Sequence, residues 1–98
     1  MPARDPLPAE QVEAALADLP GWRLDGDRIT KTVTFPDFRA AVGFLVRVAF
    51  EAEALDHHPE ITNVYDRVTL ALATHDAGDR VTDMDLELAR RIDAVAPR

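Results

Sequence analysis

An apolar repeat closed at both ends by proline constrains this chain more than any other feature. Between Pro36 and Pro59, residues Phe38, Ala41, Val42, Leu45, Val48, Ala49, Ala52 and Leu55 recur every three or four positions, which is the period of one helix face. The run covers about five helical turns, so it predicts a central helix on which the rest of the chain packs. That helix must stop close to His58, because Pro59 has no amide hydrogen and drives the residue before it out of the α region. Two adjacent histidines, His57 and His58, therefore stand at a helix exit.

The flanking segments read as two hairpins and two further helices. Val12, Ala15, Leu16 and Leu19 fall at helical spacing and predict a short amphipathic helix from Pro8 to Leu19, ended by Pro20-Gly21. Trp22 to Leu24 and Arg28 to Phe35 flank the turn Asp25-Gly26-Asp27, and the second run alternates Ile29, Val33 and Phe35 against Thr30, Thr32 and Thr34. Ile61 to Tyr65 and Val68 to His75 make a second hairpin around Asp66-Arg67. In it Val68, Leu70 and Leu72 share one face, and Thr69, Ala71, Ala73 and His75 the other. After Asp76-Ala77-Gly78-Asp79, Thr82 opens a last helix with Met84, Leu88, Ala89, Ile92 and Val95 as its buried stripe. The order α-ββ-α-ββ-α predicts an α+β two-layer sandwich: a four-stranded antiparallel sheet with three helices packed on one face, in a single domain over 1–98.

Composition narrows the function. Eleven Lys and Arg against eighteen Asp and Glu give a formal charge of −7, which repels phosphate backbones and argues against direct nucleic-acid binding. No apolar run approaches the ~20 residues that cross a bilayer, and Met1 to Pro8 lacks the basic start and apolar stretch of an export signal. The chain has no cysteine, which removes disulfides, thiolate metal sites and a Cys nucleophile and fits a reducing cytoplasm.

Chemistry concentrates in the histidines. All three, His57, His58 and His75, fall within nineteen positions. Imidazoles have an ordinary pKa of ~6.5, so several in one cleft can serve as acid and base together. Glu53 precedes His57 by one helical turn, a spacing that brings its carboxylate beside that ring. Each feature also has a plainer reading: a polar helix terminus for the histidine pair, a solvated helix face for Glu53, and a helix cap for Asp85 in the capping box Thr82-Asp83-Met84-Asp85. Three imidazoles and a carboxylate could complete a zinc or iron sphere. The helical His-Glu-x-x-His spacing is absent, however, and adjacent histidines on extended backbone point apart, so metal-free acid/base chemistry ranks above a metal site. Neither a Gly-rich phosphate loop nor a Gly-x-Ser-x-Gly turn occurs.

The run Glu53-Ala54-Leu55-Asp56-His57-His58-Pro59-Glu60, then Asn63-Val64-Tyr65, Thr74-His75-Asp76 and Thr82-Asp83-Met84-Asp85, resembles the signature of the pterin-4a-carbinolamine dehydratase family. The likeness extends upstream to Gly21-Trp22, to Phe35-x-Asp-Phe, to Phe44 and to Val48-Ala49. The resemblance implies dehydration of 4a-hydroxytetrahydropterin to quinonoid dihydropterin and water, in tetrahydrobiopterin recycling coupled to an aromatic amino acid hydroxylase. The pterin is then substrate, and no cofactor is implied. Carried over, the catalytic residues are His57, His58 and His75; among them we assign proton transfer to His57 and His75, and substrate positioning or a further acid role to His58. Glu53 and Asp85 orient imidazoles. Trp22 is either an aromatic wall for the pterin or a tryptophan pinning the first hairpin. The same resemblance implies a homodimer or homotetramer, and, as the alternative function, a dimerization partner in transcription without enzymatic activity.

Overall fold

A computed structural model describes residues 3–97 of the chain. Its elements follow the expected order: α1 (Ala9–Leu16), β1 (Arg23–Asp25), β2 (Arg28–Thr34), α2 (Phe38–Leu55), β3 (Glu60–Val64), β4 (Arg67–Leu72) and α3 (Asp83–Val95), with one 3₁₀ turn at His75–Ala77. The strands form one antiparallel sheet in the order β1-β2-β4-β3. Each hairpin closes through a two-residue loop whose first member has positive φ: Gly26 at 62° in one and Tyr65 at 53° in the other. Glycine takes that conformation without strain.

Side-chain alternation sorts the sheet into two faces. Ile29 pairs with Leu72, Lys31 with Leu70 and Val33 with Val68, so these six share the face covered by the three helices. Ile29, Val68 and Leu70 are fully buried there, together with Phe44 and Val48 of α2 and Leu88 and Ile92 of α3. The buried apolar residues make one contiguous core. The threonines at 30, 32 and 34 lie on the opposite face, where Thr32 and Thr69 meet across strands at 3.1 Å. Lys31 is the polar exception on the helix side. Its Nζ is 3.0 Å from the Asp93 carboxylate of α3, and the indole N–H of the buried Trp22 donates to the same oxygen at 3.0 Å.

Two expectations are corrected. The buried stripe of α2 is Ala41, Phe44, Val48, Ala52 and Leu55, whereas Phe38 and Val42, expected inside, are 50% and 38% exposed. The helix is apolar around much of its circumference, so period alone leaves its rotation undetermined. A second apolar stripe, Phe38, Val42, Val46 and Phe50, faces outward. The other correction is that β4 ends at Leu72 and does not reach His75. Thr74 makes an isolated bridge with Arg80, and its carbonyl accepts the amides of Ala77 and Asp79, so the chain coils into the 3₁₀ turn that carries His75.

Candidate active site

Termination of α2 sets the site. Asp37 caps its start by accepting the Ala40 amide at 2.8 Å. At its end Asp56 adopts the left-handed conformation, φ 51°, which a short polar side chain tolerates better than most. The His57 amide then reaches back five residues to the Ala52 carbonyl at 3.0 Å, the closing bond of a Schellman motif. This bond fixes the His57 backbone against the helix end. Pro59 keeps the next residues extended, and the two neighbouring imidazoles diverge, His57 into the protein and His58 into solvent.

His57 is 6% exposed and Asp85 is completely buried. Their side chains meet at 2.5 Å, Nε2 to Oδ1. The remaining bonds around Asp85 leave little freedom in proton placement. Its Oδ2 accepts from the Thr82 amide at 2.9 Å and from the Thr74 hydroxyl at 2.8 Å. The Thr82 hydroxyl accepts the Met84 amide at 3.2 Å and lies 2.7 Å from the Thr74 oxygen. With Thr74 donating to Asp85, Thr82 must donate to Thr74, and an ionised Asp85 only accepts. With the carboxylate as acceptor, Nε2 of His57 is the donor across this contact and Nδ1 is the nitrogen left over. Asp85 is thus a capping residue and the anchor of His57 at once. Among the described residues no buried side-chain nitrogen or oxygen lacks a partner.

The other two histidines are held differently. His58 Nε2 lies 2.7 Å from Glu53 Oε1, with both side chains more than half exposed. The expectation that Glu53 flanks His57 is therefore corrected: the left-handed turn at Asp56 swings His57 inward and brings the following ring over the last helical turn. His75 Nδ1 lies 3.1 Å from Asp79 Oδ1, and its side chain is almost wholly exposed.

Despite these separate partners, the three imidazoles border one cleft of about 230 Å³, with Arg4, Asp56, Ala73 and Asp76 as the rest of its lining. A second cleft of about 510 Å³ shares His58, Ala73 and His75 and continues past Pro59 to Arg28 and Glu60. Jointly they lie in the range of ~300–1,000 Å³ usual for small-molecule sites. Trp22 borders neither; it sits in the core between the first hairpin and α3, the plainer of its two readings. Among the described residues, no three of His, Asp and Glu converge as metal ligands. No described helix is long and apolar enough to cross a membrane.

Sequence reasoning missed Thr74, Asp79 and Arg4. Thr74 left a signal, since it continues the inward register of Val68, Leu70 and Leu72, where a hydroxyl needs a buried partner. Arg4 left none, because it precedes every periodic segment.

Comparison with known proteins places relatives along nearly the whole chain. The sequence model of the family described as pterin 4 alpha carbinolamine dehydratase matches residues 5–95. Two bacterial relatives, both provisionally named pterin-4-alpha-carbinolamine dehydratase, are similar over nearly their whole length. The Opitutus terrae protein is 53% identical over 92% of this chain and 93% of its own, and the Bradyrhizobium protein is 56% identical over 92% and 91%. Among solved structures, a Brucella melitensis protein described as a transcriptional coactivator/pterin dehydratase superposes with a TM-score of 0.88 at 42% identity, covering 95% of this chain and 100% of that one. A pterin dehydratase-like protein identified as a RuBisCO assembly factor in the alpha-carboxysome superposes with a TM-score of 0.66 at 25% identity, covering 78% and 89%.

Proposed function

This chain belongs to the pterin-4a-carbinolamine dehydratase family, and from that premise we propose that it is a cytoplasmic hydro-lyase that converts 4a-hydroxytetrahydropterin to quinonoid dihydropterin and water. The observation that carries the reading is the buried chain from Thr82 through Thr74 and Asp85 to His57, ending on an imidazole that lines the same cleft as His58 and His75.

The elimination breaks the C4a–O bond. A proton goes to the departing hydroxyl, which leaves as water, and a proton is lost from a ring nitrogen, so charge and atoms balance without any redox change. Two imidazoles in opposite protonation states suffice. Asp85 binds Nε2 of His57 and fixes that ring, so His57 exchanges its proton with substrate through Nδ1. His75, held at Nδ1 by Asp79, is its partner in proton transfer. His58, steadied by Glu53, positions the pterin between the two clefts it lines. A separate two-electron reduction of the product would then restore the tetrahydropterin that an aromatic amino acid hydroxylase consumes.

The test is dehydration of 4a-hydroxytetrahydropterin, generated in place by a hydroxylase, with the wild type and with His75→Ala. His75 is exposed, so this variant keeps its fold and loses about 10²- to 10⁴-fold in rate, the usual contribution of a general acid or base. Unchanged turnover would remove His75 from the mechanism, and an inactive wild type would sink the dehydratase reading.

A second reading concerns assembly. Phe38, Val42, Val46 and Phe50 form a continuous exposed apolar stripe along α2, a feature that marks association surfaces. Its proposed occupant is the same stripe of a second copy, giving a homodimer or homotetramer. A role as an interaction protein without catalysis, as the coactivator and assembly-factor descriptions of the two structural neighbours suggest, would use the same stripe. Val46→Glu/Phe50→Glu should yield a monomer by light scattering, and an unchanged mass would exclude self-association through α2.

A further inference from the structure

Two arginines border the paired clefts, and they are in different states. Arg28 is committed: its Nη1 lies 2.7 Å from the Glu60 carboxylate. Arg4 is half-buried at the rim of the histidine cleft, where its Nη2 lies 3.4 Å from the carbonyl oxygen of Asp56. That separation is long against an N–H···O optimum of about 2.9 Å, so the contact steadies the guanidinium but competes poorly with a better acceptor. The segment bearing it is tied down: the Leu7 amide donates to the Val81 carbonyl at 2.9 Å, and the Leu7 side chain packs on the core.

A hydroxytetrahydropterin offers the cleft both donors and acceptors. The reacting hydroxyl and N5 belong to the proton-transferring imidazoles under the dehydratase reading, on which this inference rests. Immediately beside C4a stands the 4-oxo group, an acceptor that takes no part in the proton inventory and requires a donor. Asp56 and Asp76 line the same cleft but, ionised, only accept. His57 and His75 must change protonation state during turnover, so a hydrogen bond from them to the 4-oxo group would not persist, and the Nε2 of His58 is already paired with Glu53. Among the described residues lining the smaller cleft, Arg4 is the one whose side chain only donates.

We propose that Arg4 donates to the 4-oxo oxygen of the pterin and holds the ring with its 4a-hydroxyl toward the histidines. Arg4 stands immediately ahead of residues 5–95, the span that matches the family model. Arg4 binds substrate in the ground state and the transition state alike, and its loss raises KM more than it lowers kcat.

The experiment compares binding of pterin (2-amino-4-oxopteridine) and of 2,4-diaminopteridine, which presents a donor where the other presents the 4-oxo acceptor, to the wild type and to Arg4→Met by fluorescence titration. Dehydratase turnover is measured on the same samples. The wild type should prefer the 4-oxo ligand by about tenfold or more, as a hydrogen bond from a charged donor would give. Arg4→Met should bind pterin about tenfold more weakly and lose the preference, with KM rising by a similar factor. If Arg4→Met retains both affinity and preference while the wild type turns over, Arg4 does not touch the 4-oxo group and the dehydratase reading is untouched. If the wild type binds neither pteridine and shows no turnover, the dehydratase reading falls and the Arg4 contact falls with it.

Discussion

His57 and His58 are neighbours in sequence, and each pairs with a carboxylate, yet the two pairs are physically unlike. His57 and Asp85 meet at 2.5 Å with side-chain exposures of 7% and 0%; His58 and Glu53 meet at 2.7 Å with exposures of 59% and 78%. In the first pair, both groups are shielded from solvent and the other carboxylate oxygen is held by the Thr82 amide and the Thr74 hydroxyl, so the interaction is felt at low local dielectric. The second pair competes with solvent and is screened, as exposed ion pairs are. The comparison shows that distance alone does not rank such contacts. What separates them is whether an alternative partner exists when one member is removed.

Removing Asp85 tests the buried pair most severely. Asp85→Ala deletes the acceptor of the His57 ring, the Thr74 hydroxyl and the Thr82 amide together, and should cost ~3 kcal/mol or more in urea unfolding, since buried groups are left unsatisfied and a helix cap is lost. A loss below 1 kcal/mol would mean that the network is not closed as described.

The histidines themselves come next. His57→Ala strands Asp85 Oδ1 in the interior and should destabilise by ~2 kcal/mol, while His58→Ala at the adjacent position should stay within ~0.5 kcal/mol. Equal effects at both positions would break the comparison outright. On the exposed side, Glu53→Gln should change stability by less than ~0.5 kcal/mol because water replaces the lost contact; a larger loss would show that Glu53 carries structural weight.

The smallest effect calibrates the exposed class. The hydrogen bond from Arg91 at 3.1 Å holds the Glu87 carboxyl below the usual carboxylate range, with Arg90 assisting and desolvation opposing. A carboxyl lowered by folding stabilises the protein above its unfolded pKa of about 4.3, and that contribution is lost as pH falls through the folded value. Arg91→Met should therefore be less stable than the wild type at neutral pH by only ~0.3 kcal/mol, the low end for an exposed i,i+4 pair after solvent screening, and the gap should close in acid. A gap independent of pH would assign the contribution of Arg91 to packing of its stem.

Legibility followed the range of the interaction. Element order, both hairpins, the stop at Pro59 and the Thr82 cap rest on local patterns, and the structure reproduces them. The rotation of α2 was not legible: Phe44 is fully buried and Phe38 half exposed, although both are equally apolar. Only packing against the sheet and α3 distinguishes them. The candidate residues were visible as a histidine cluster within a family signature, but their partners were not. Glu53 has the right spacing for His57 and binds His58, because one left-handed residue at Asp56 redirects the chain.

What the sequence determined by itself is therefore the set of elements, their order and the chemical types at the site, since periodicity, proline geometry and capping act within a few residues. Only the tertiary structure decided which carboxylate serves which imidazole, that Thr74, 11 positions from Asp85, buttresses that carboxylate from the interior, and that Arg4, 52 positions from Asp56, borders the histidine cleft. Those pairings follow from burial and chain direction, which exist only once the sheet and helices have closed around one core.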